Sequence, residues 1–161
     1  MWYNEADMSA HLSYRIAYTL AQVLLRGRTD KAGLPEFEHA LRVREALQVP
    51  DTDIRATVAL LHDLVEDTDL YLTQLGSFGF SPAVIASVDA ITRRSGEAYA
   101  DYIDRVALDP VARDVKLADL QDHLRPMTPP FELSPSLAER YRKAAARLHY
   151  ETPRTLASRS A

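Results

Sequence analysis

Ile54-Arg55-Ala56-Thr57-Val58-Ala59-Leu60-Leu61-His62-Asp63-Leu64-Val65-Glu66-Asp67 is the stretch whose reading decides the fold. Up to Leu61 it is apolar nearly all round, which predicts a helix buried on every side at the centre of a helical domain. Asp51 or Asp53 can cap its start. His62-Asp63 then continues the same helix. His62 falls on the face of Val58 and Val65, and Asp63 on the face of Ala59 and Leu60. One turn on, Glu66 lies below His62 and Asp67 below Asp63. Burying a lone carboxylate is costly unless it is paired or bound to a metal. Three carboxylates and an imidazole within two turns repel one another unless a cation sits among them.

The flanking sequence is helical as well. Leu12, Ile16, Leu20 and Val23 form a stripe along a first helix of about 18 residues, which Gly27 ends. The polar loop 28–33 follows. Pro35 suits a first helical position, and Ala40, Val43 and Leu47 carry a helix to Gln48. Gly76, Gly79 and Ser81-Pro82 mark a turn region. Val84, Ile85, Val88 and Ile91 give another helix, ending near Arg93-Arg94, which serve its C-terminal dipole. A further helix carries Tyr99, Tyr102, Ile103 and Val106. Asp109-Pro110 and Ser134-Pro135 are cap-and-proline starts of the last two, the first running to Leu124 and the second to His149. No stretch alternates as a strand does. The expected fold is all-α, a single compact bundle of six or more helices over residues 1–151, with 152–161 a flexible tail.

Composition narrows the function classes. The chain has 161 residues, of which 47% are hydrophobic, enough for one domain with a real core. A net charge of −4 argues against charge-driven binding to extended nucleic acid. The absence of cysteine excludes disulfides, thiolate metal sites and cysteine nucleophiles. Residues 1–7 lack the basic flank and apolar run of a secretion signal, and no apolar stretch approaches the roughly 20 residues of a membrane span. A cytoplasmic protein with no membrane partner is expected; oligomeric state is not legible.

A His-Asp pair alone is also what a capping or hydrogen-bonded pair looks like. Two more polar residues on inward faces favour a metal: His39, on the side of Val43 and Ala46, and Asp119, one turn after Val115. Two imidazoles and two carboxylates suit Mn²⁺, Fe²⁺, Zn²⁺ or Mg²⁺. Four protein ligands leave octahedral positions for water and a substrate oxygen, and the metal lowers the pKa of that water.

At these residues the sequence resembles the HD phosphohydrolase superfamily, and within it the RelA/SpoT-type hydrolases and small alarmone hydrolases. The matching pieces are Asp30-Lys31-Ala32-Gly33-Leu34-Pro35 with His39, Ala59 through Thr68, Leu75 through Phe80, Ile91 through Glu97, and Val115-Lys116-Leu117-Ala118-Asp119. The resemblance spans roughly residues 12–148 and implies an HD-domain helical bundle. It implies His39, His62, Asp63 and Asp119 as metal ligands, Mn²⁺ as the favoured ion, and Glu66 and Asp67 as the catalytic pair that positions the attacking water and handles its proton. The implied reaction removes the 3′-pyrophosphate from guanosine tetra- or pentaphosphate. For Arg28 and Lys31, phosphate contact competes with a hydrated loop. Lys116 is a candidate substrate contact that could pair with a carboxylate instead. Tyr141 matches an aromatic lining the base pocket of relatives, but is also at core spacing.

The chain departs from that pattern at several positions. His123 stands where relatives usually carry an Asn near the ribose; four residues after Asp119 it can still face the site, as a hydrogen-bonding contact to sugar or phosphate or as an extra ligand or acid. Glu36 replaces an aromatic, Ala40 a proline, and Asp30 an arginine; Leu25 and Arg28 replace a frequent His and Gln. These positions bear on substrate more than on metal. The alternatives to an alarmone hydrolase are an HD nucleotidase or triphosphohydrolase acting on other (deoxy)nucleotides, and a non-catalytic nucleotide-binding regulatory module.

Overall fold

The computed structural model describes residues 4–128 and 130–150. Among them stand eight α-helices and one 3-10 helix, with no strand: α1 (Glu5–Leu24), α2 (Glu36–Ala46), α3 (Ile54–Leu61), α4 (Leu64–Asp67), the 3-10 helix Leu72–Phe78, α5 (Pro82–Ile91), α6 (Tyr99–Ala107), α7 (Pro110–Leu124) and α8 (Pro135–Tyr150). The all-α expectation holds. The proposed tail, 152–161, lies outside the described residues.

Local chemistry sets the helix starts. The Asp53 side chain accepts from the backbone N–H of Arg55, Ser81 from Val84, and Asp109 from Ala112, with Pro82 and Pro110 in the first turns of their helices. Ser134 Oγ accepts from Leu137 N–H in the same way. Each such cap stabilises its helix by about 1 kcal/mol. Pro35 sits one position earlier than expected, as the residue before α2. Gly79 closes the 3-10 helix with φ +86°, a conformation that disfavours any side chain.

α3 is the hub. Ala56 through Leu61 are all buried, and α1, α2, α5 and α7 pack around them. α7 in turn carries α6 and α8. Leu60, Leu61, Leu64, Leu75, Ile91, Ile103, Leu120 and Leu148 fill the space between, each side chain almost wholly inaccessible. Burial of one such side chain stabilises by about 1.5–3 kcal/mol. No described helix is long and apolar enough to cross a membrane.

Two expectations need correction. The inward face of α1 is made by Ala17 and Ala21, both fully buried, while Leu12 and Val23 are more than half exposed. Small side chains let α1 lie close against α3, and that contact rotates the apolar ends of the expected stripe outward. The second correction concerns the deciding stretch itself. α3 stops at Leu61, His62 and Asp63 form a turn, and α4 restarts at Leu64. Asp63 has φ −101° and ψ −9°, off the helical values. The anomalous pair therefore occupies a break between two helices, with its side chains freed from a regular helical spacing.

Candidate metal centre

Four elements converge below this break. His39 comes from the second turn of α2, His62 and Asp63 from the α3–α4 junction, and Asp119 from α7. His39 is 1%, His62 2% and Asp119 3% exposed. His39 Nε2 lies 3.1 Å from Asp119 Oδ1 and 3.8 Å from Asp63 Oδ2. His62 Nε2 lies 3.0 Å from Asp63 Oδ2 and 3.9 Å from Asp119 Oδ1.

The opposite edge of each ring is already used. His39 Nδ1 is 2.7 Å from Asp122 Oδ2, and His62 Nδ1 is 2.6 Å from the Ala59 carbonyl oxygen. An acceptor at Nδ1 holds the hydrogen there and leaves the lone pair on Nε2. Neither Nε2 has a hydrogen-bond partner despite the close carboxylates. A buried nitrogen without a partner costs about 1–3 kcal/mol. Adjacent corners of an octahedron with bonds of about 2.1 Å are about 3 Å apart, which is the spacing of the closest N–O contacts here. The residues therefore fit a divalent ion, and His39, His62 and Asp119 could hold one.

Electrostatics agree. Burial alone pushes the His39 imidazole down, but Asp119 and Asp122 more than offset it and raise its pKa to about 10. Burial works against a charged His62 too, and Asp63 reverses it. Asp119 is disfavoured as an anion by burial, yet Lys116 and His39 hold it well below the usual carboxylate range. A cavity that draws protons onto its imidazoles this strongly is one that favours positive charge, and a divalent ion supplies that charge while leaving the rings neutral.

Beyond the centre opens a cleft of about 100 Å³. Six carboxyl groups line it (Asp30, Glu36, Asp63, Glu66, Asp67 and Asp119) against four cations (Lys31, Arg93, Lys116 and Arg140). A polyphosphate entering it would meet net negative charge without a metal. Glu66 is pushed up from its ordinary pKa by burial, although its carboxylate accepts from Arg93 N–H at 3.2 Å. Burial and the charges of Asp63 and Asp67 push Glu36 up to about 7.

The sequence-derived substrate candidates separate here. Lys31, Lys116, His123 and Tyr141 line the cleft. Lys116 is bound to Asp119 Oδ2 at 2.7 Å and lies over the Tyr102 ring, so its ammonium is already partnered. Arg28 is not among the lining residues; the buried Glu36 carboxylate engages it at 3.0 Å. His123 packs face to face against His39, with ring centroids 4.3 Å apart. Tyr141 stacks at 6.4 Å from Tyr99.

Several participants escaped the sequence reading. Asp122 orients His39 and is itself clamped by Arg42 through Nε at 2.8 Å and Nη2 at 3.0 Å. Arg93 faces the cleft as well as donating to the Glu97 carbonyl, so it does more than serve a helix end. Arg140 and Tyr99 complete an aromatic and cationic wall, the guanidinium 4.7 Å from the Tyr99 ring. Aromatics three residues apart on α6 were legible only as core.

No family model matches the chain, and no curated protein matches its sequence. Among solved structures it is similar to a metazoan ortholog of SpoT that hydrolyses ppGpp. The two align with a TM-score of 0.68 at 22% identity, over 96% of this chain and 89% of that one. The chain therefore shares the all-helical fold of that protein.

Proposed function

We propose that this chain is a cytoplasmic, metal-dependent phosphohydrolase that removes the 3′-pyrophosphate from guanosine alarmones such as ppGpp. His39, His62, Asp63 and Asp119 are the ligands in this reading, with Mn²⁺ the ion that the resemblance favours. The observation that carries it is the pair of buried, unpartnered Nε2 atoms converging on two carboxylates. The likeness in fold to a ppGpp-hydrolysing protein supports the substrate class.

A bound divalent ion supplies a water of lowered pKa and positive charge for the phosphate oxygens. The chain's own groups do the rest. Glu66, at the cleft and raised in pKa by desolvation, accepts the proton of the attacking water. Asp67, one residue on, orients that water. Lys31 and Arg93, at the cleft, hold the pyrophosphate and share the charge that develops on it. Lys116 keeps the buried Asp119 ionised. Tyr141, with Tyr99 and Arg140 beside it, offers a flat surface for a base.

The test is a panel of guanosine and adenosine alarmones, dNTPs and nucleoside monophosphates incubated with the protein and Mn²⁺. Release of pyrophosphate from the 3′ position is expected, and its loss in His62→Ala. Turnover confined to 5′-phosphates refutes the substrate and favours the nucleotidase reading. Tight nucleotide binding without turnover of any compound refutes the enzyme.

A further inference from the structure

The His39–His62 edge accounts for two imidazoles, but a third points at the same carboxylate oxygen. His123 Nε2 lies 3.3 Å from Asp119 Oδ1, beside the 3.1 Å contact of His39 Nε2 with that atom. The ring is 8% exposed. It runs nearly parallel to His39, 27° between planes, so both rings present the same edge to Asp119.

A neutral imidazole has one N–H and one lone pair. With the hydrogen on Nε2, His123 donates to Asp119 but leaves the Nδ1 lone pair buried with no donor. With the hydrogen on Nδ1, the Nε2 lone pair faces a carboxylate oxygen, which is repulsive unless a cation lies between them. Nδ1 has no direct partner in either tautomer, so it is the Nε2 edge, 3.3 Å from Asp119 Oδ1, that places this ring at the centre. Asp30 offers a carboxylate oxygen within 4.8 Å of one ring nitrogen of each of His39 and His123. Asp30 is itself pinned, since its Oδ1 accepts from Ala32 N–H at 2.9 Å and from Leu34 N–H at 3.0 Å. Positions 30 and 123 are both ones at which the sequence departs from the family it resembles, and the fold brings them together.

We propose that His123 is a third imidazole ligand of the metal centre, joining His39, His62, Asp63 and Asp119. This rests on the metal reading of the site given above. Its chemical consequence is selectivity. A nitrogen added to a two-imidazole, two-carboxylate set favours Fe²⁺ and Zn²⁺ over Mn²⁺ and Mg²⁺, which prefer oxygen. It also takes one of the positions otherwise left to water and substrate.

X-ray absorption on the Zn²⁺-loaded full chain counts coordinated imidazoles, and competition with a chromophoric chelator gives Zn²⁺ and Mn²⁺ affinities. Three imidazoles are expected in the native protein and two in His123→Asn. The substitution should lower Zn²⁺ affinity by at least about 100-fold, since removing a ligand costs no less than removing an outer hydrogen-bonding partner, and Mn²⁺ affinity by less. Native protein that binds Zn²⁺ with two imidazoles overturns this proposal and leaves the metal reading standing. Native protein that binds neither ion overturns both. The native count alone decides the matter should the variant fold poorly.

Discussion

Asp122→Asn probes the metal reading through a residue that touches no metal. Asp122 Oδ2 accepts from His39 Nδ1 at 2.7 Å and from Arg42 Nη2 at 3.0 Å, while Oδ1 accepts from Arg42 Nε at 2.8 Å and lies 3.3 Å from Arg125 Nη1. Burial pushes this carboxyl up, and the His39 and Arg42 hydrogen bonds more than reverse it, holding it well below the usual range. Asparagine keeps the shape and one oxygen. That oxygen should take the Oδ1 position, where two guanidinium groups point, leaving the NH₂ group opposite His39. A donor there requires Nδ1 to bear the lone pair and moves the hydrogen to Nε2, against any bound ion.

Loss of an outer acceptor alone lowers metal affinity about 10–100-fold, roughly 1.4–2.7 kcal/mol. The reversed tautomer should put Asp122→Asn at the upper end, about 100-fold. Asp122→Ala removes the acceptor without imposing a donor and should lose less. Chelator competition measures both variants, with circular dichroism to confirm retained helix. Affinity within about twofold of native for Asp122→Asn would refute the tautomer argument. So would a larger loss in the alanine variant than in the asparagine one.

Glu66→Gln should lower kcat about 10²–10⁴-fold, the range of a lost general base, with metal affinity within about threefold of native; a rate near native removes Glu66 from the chemistry. Arg105→Ala should destabilise by about 3 kcal/mol in a denaturant melt, because this guanidinium donates to the carbonyls of Asp89, Ala90 and Thr92 and to both Glu97 oxygens; a change below about 1 kcal/mol would show those bonds to be replaceable by water. In metal-free protein Glu36, raised from 4.5 to about 7 by burial and then by Asp63 and Asp67, holds its proton in the fold at a pH where the unfolded chain has released it. Stability should therefore fall as pH rises from about 4.5 to 7. Glu36→Gln should flatten that segment of the melting-temperature profile, and an unchanged slope would assign it to other groups.

What was legible in the sequence shares one property: the signal and its cost sit within a turn or two of each other. His62, Asp63, His39 and Asp119 each interrupt an apolar face on their own helix, so the anomaly needs no knowledge of the fold. The caps Asp53, Ser81 and Asp109 are local in the same sense. The break at His62-Asp63 is different. No glycine or proline announces it, and the residues that stabilise it are the partners that each side chain finds across the cavity.

Asp122 shows why the remainder stayed hidden. It lies three residues after Asp119 and reads as one more carboxylate on a polar stretch of α7. Its partners His39 and Arg42 are 83 and 80 residues away, and only the packing of α2 on α7 brings them together. The contact is decisive because it sets which ring nitrogen of His39 is free, a choice that the ring's own sequence neighbours do not make. The identity of the candidate ligands is thus written locally, in residues too polar for their faces, whereas their orientation is written in the crossing of two helices. The same division covers position 123. Its imidazole is visible in the sequence four residues after Asp119, but only the fold turns it edge-on to the oxygen that His39 also faces.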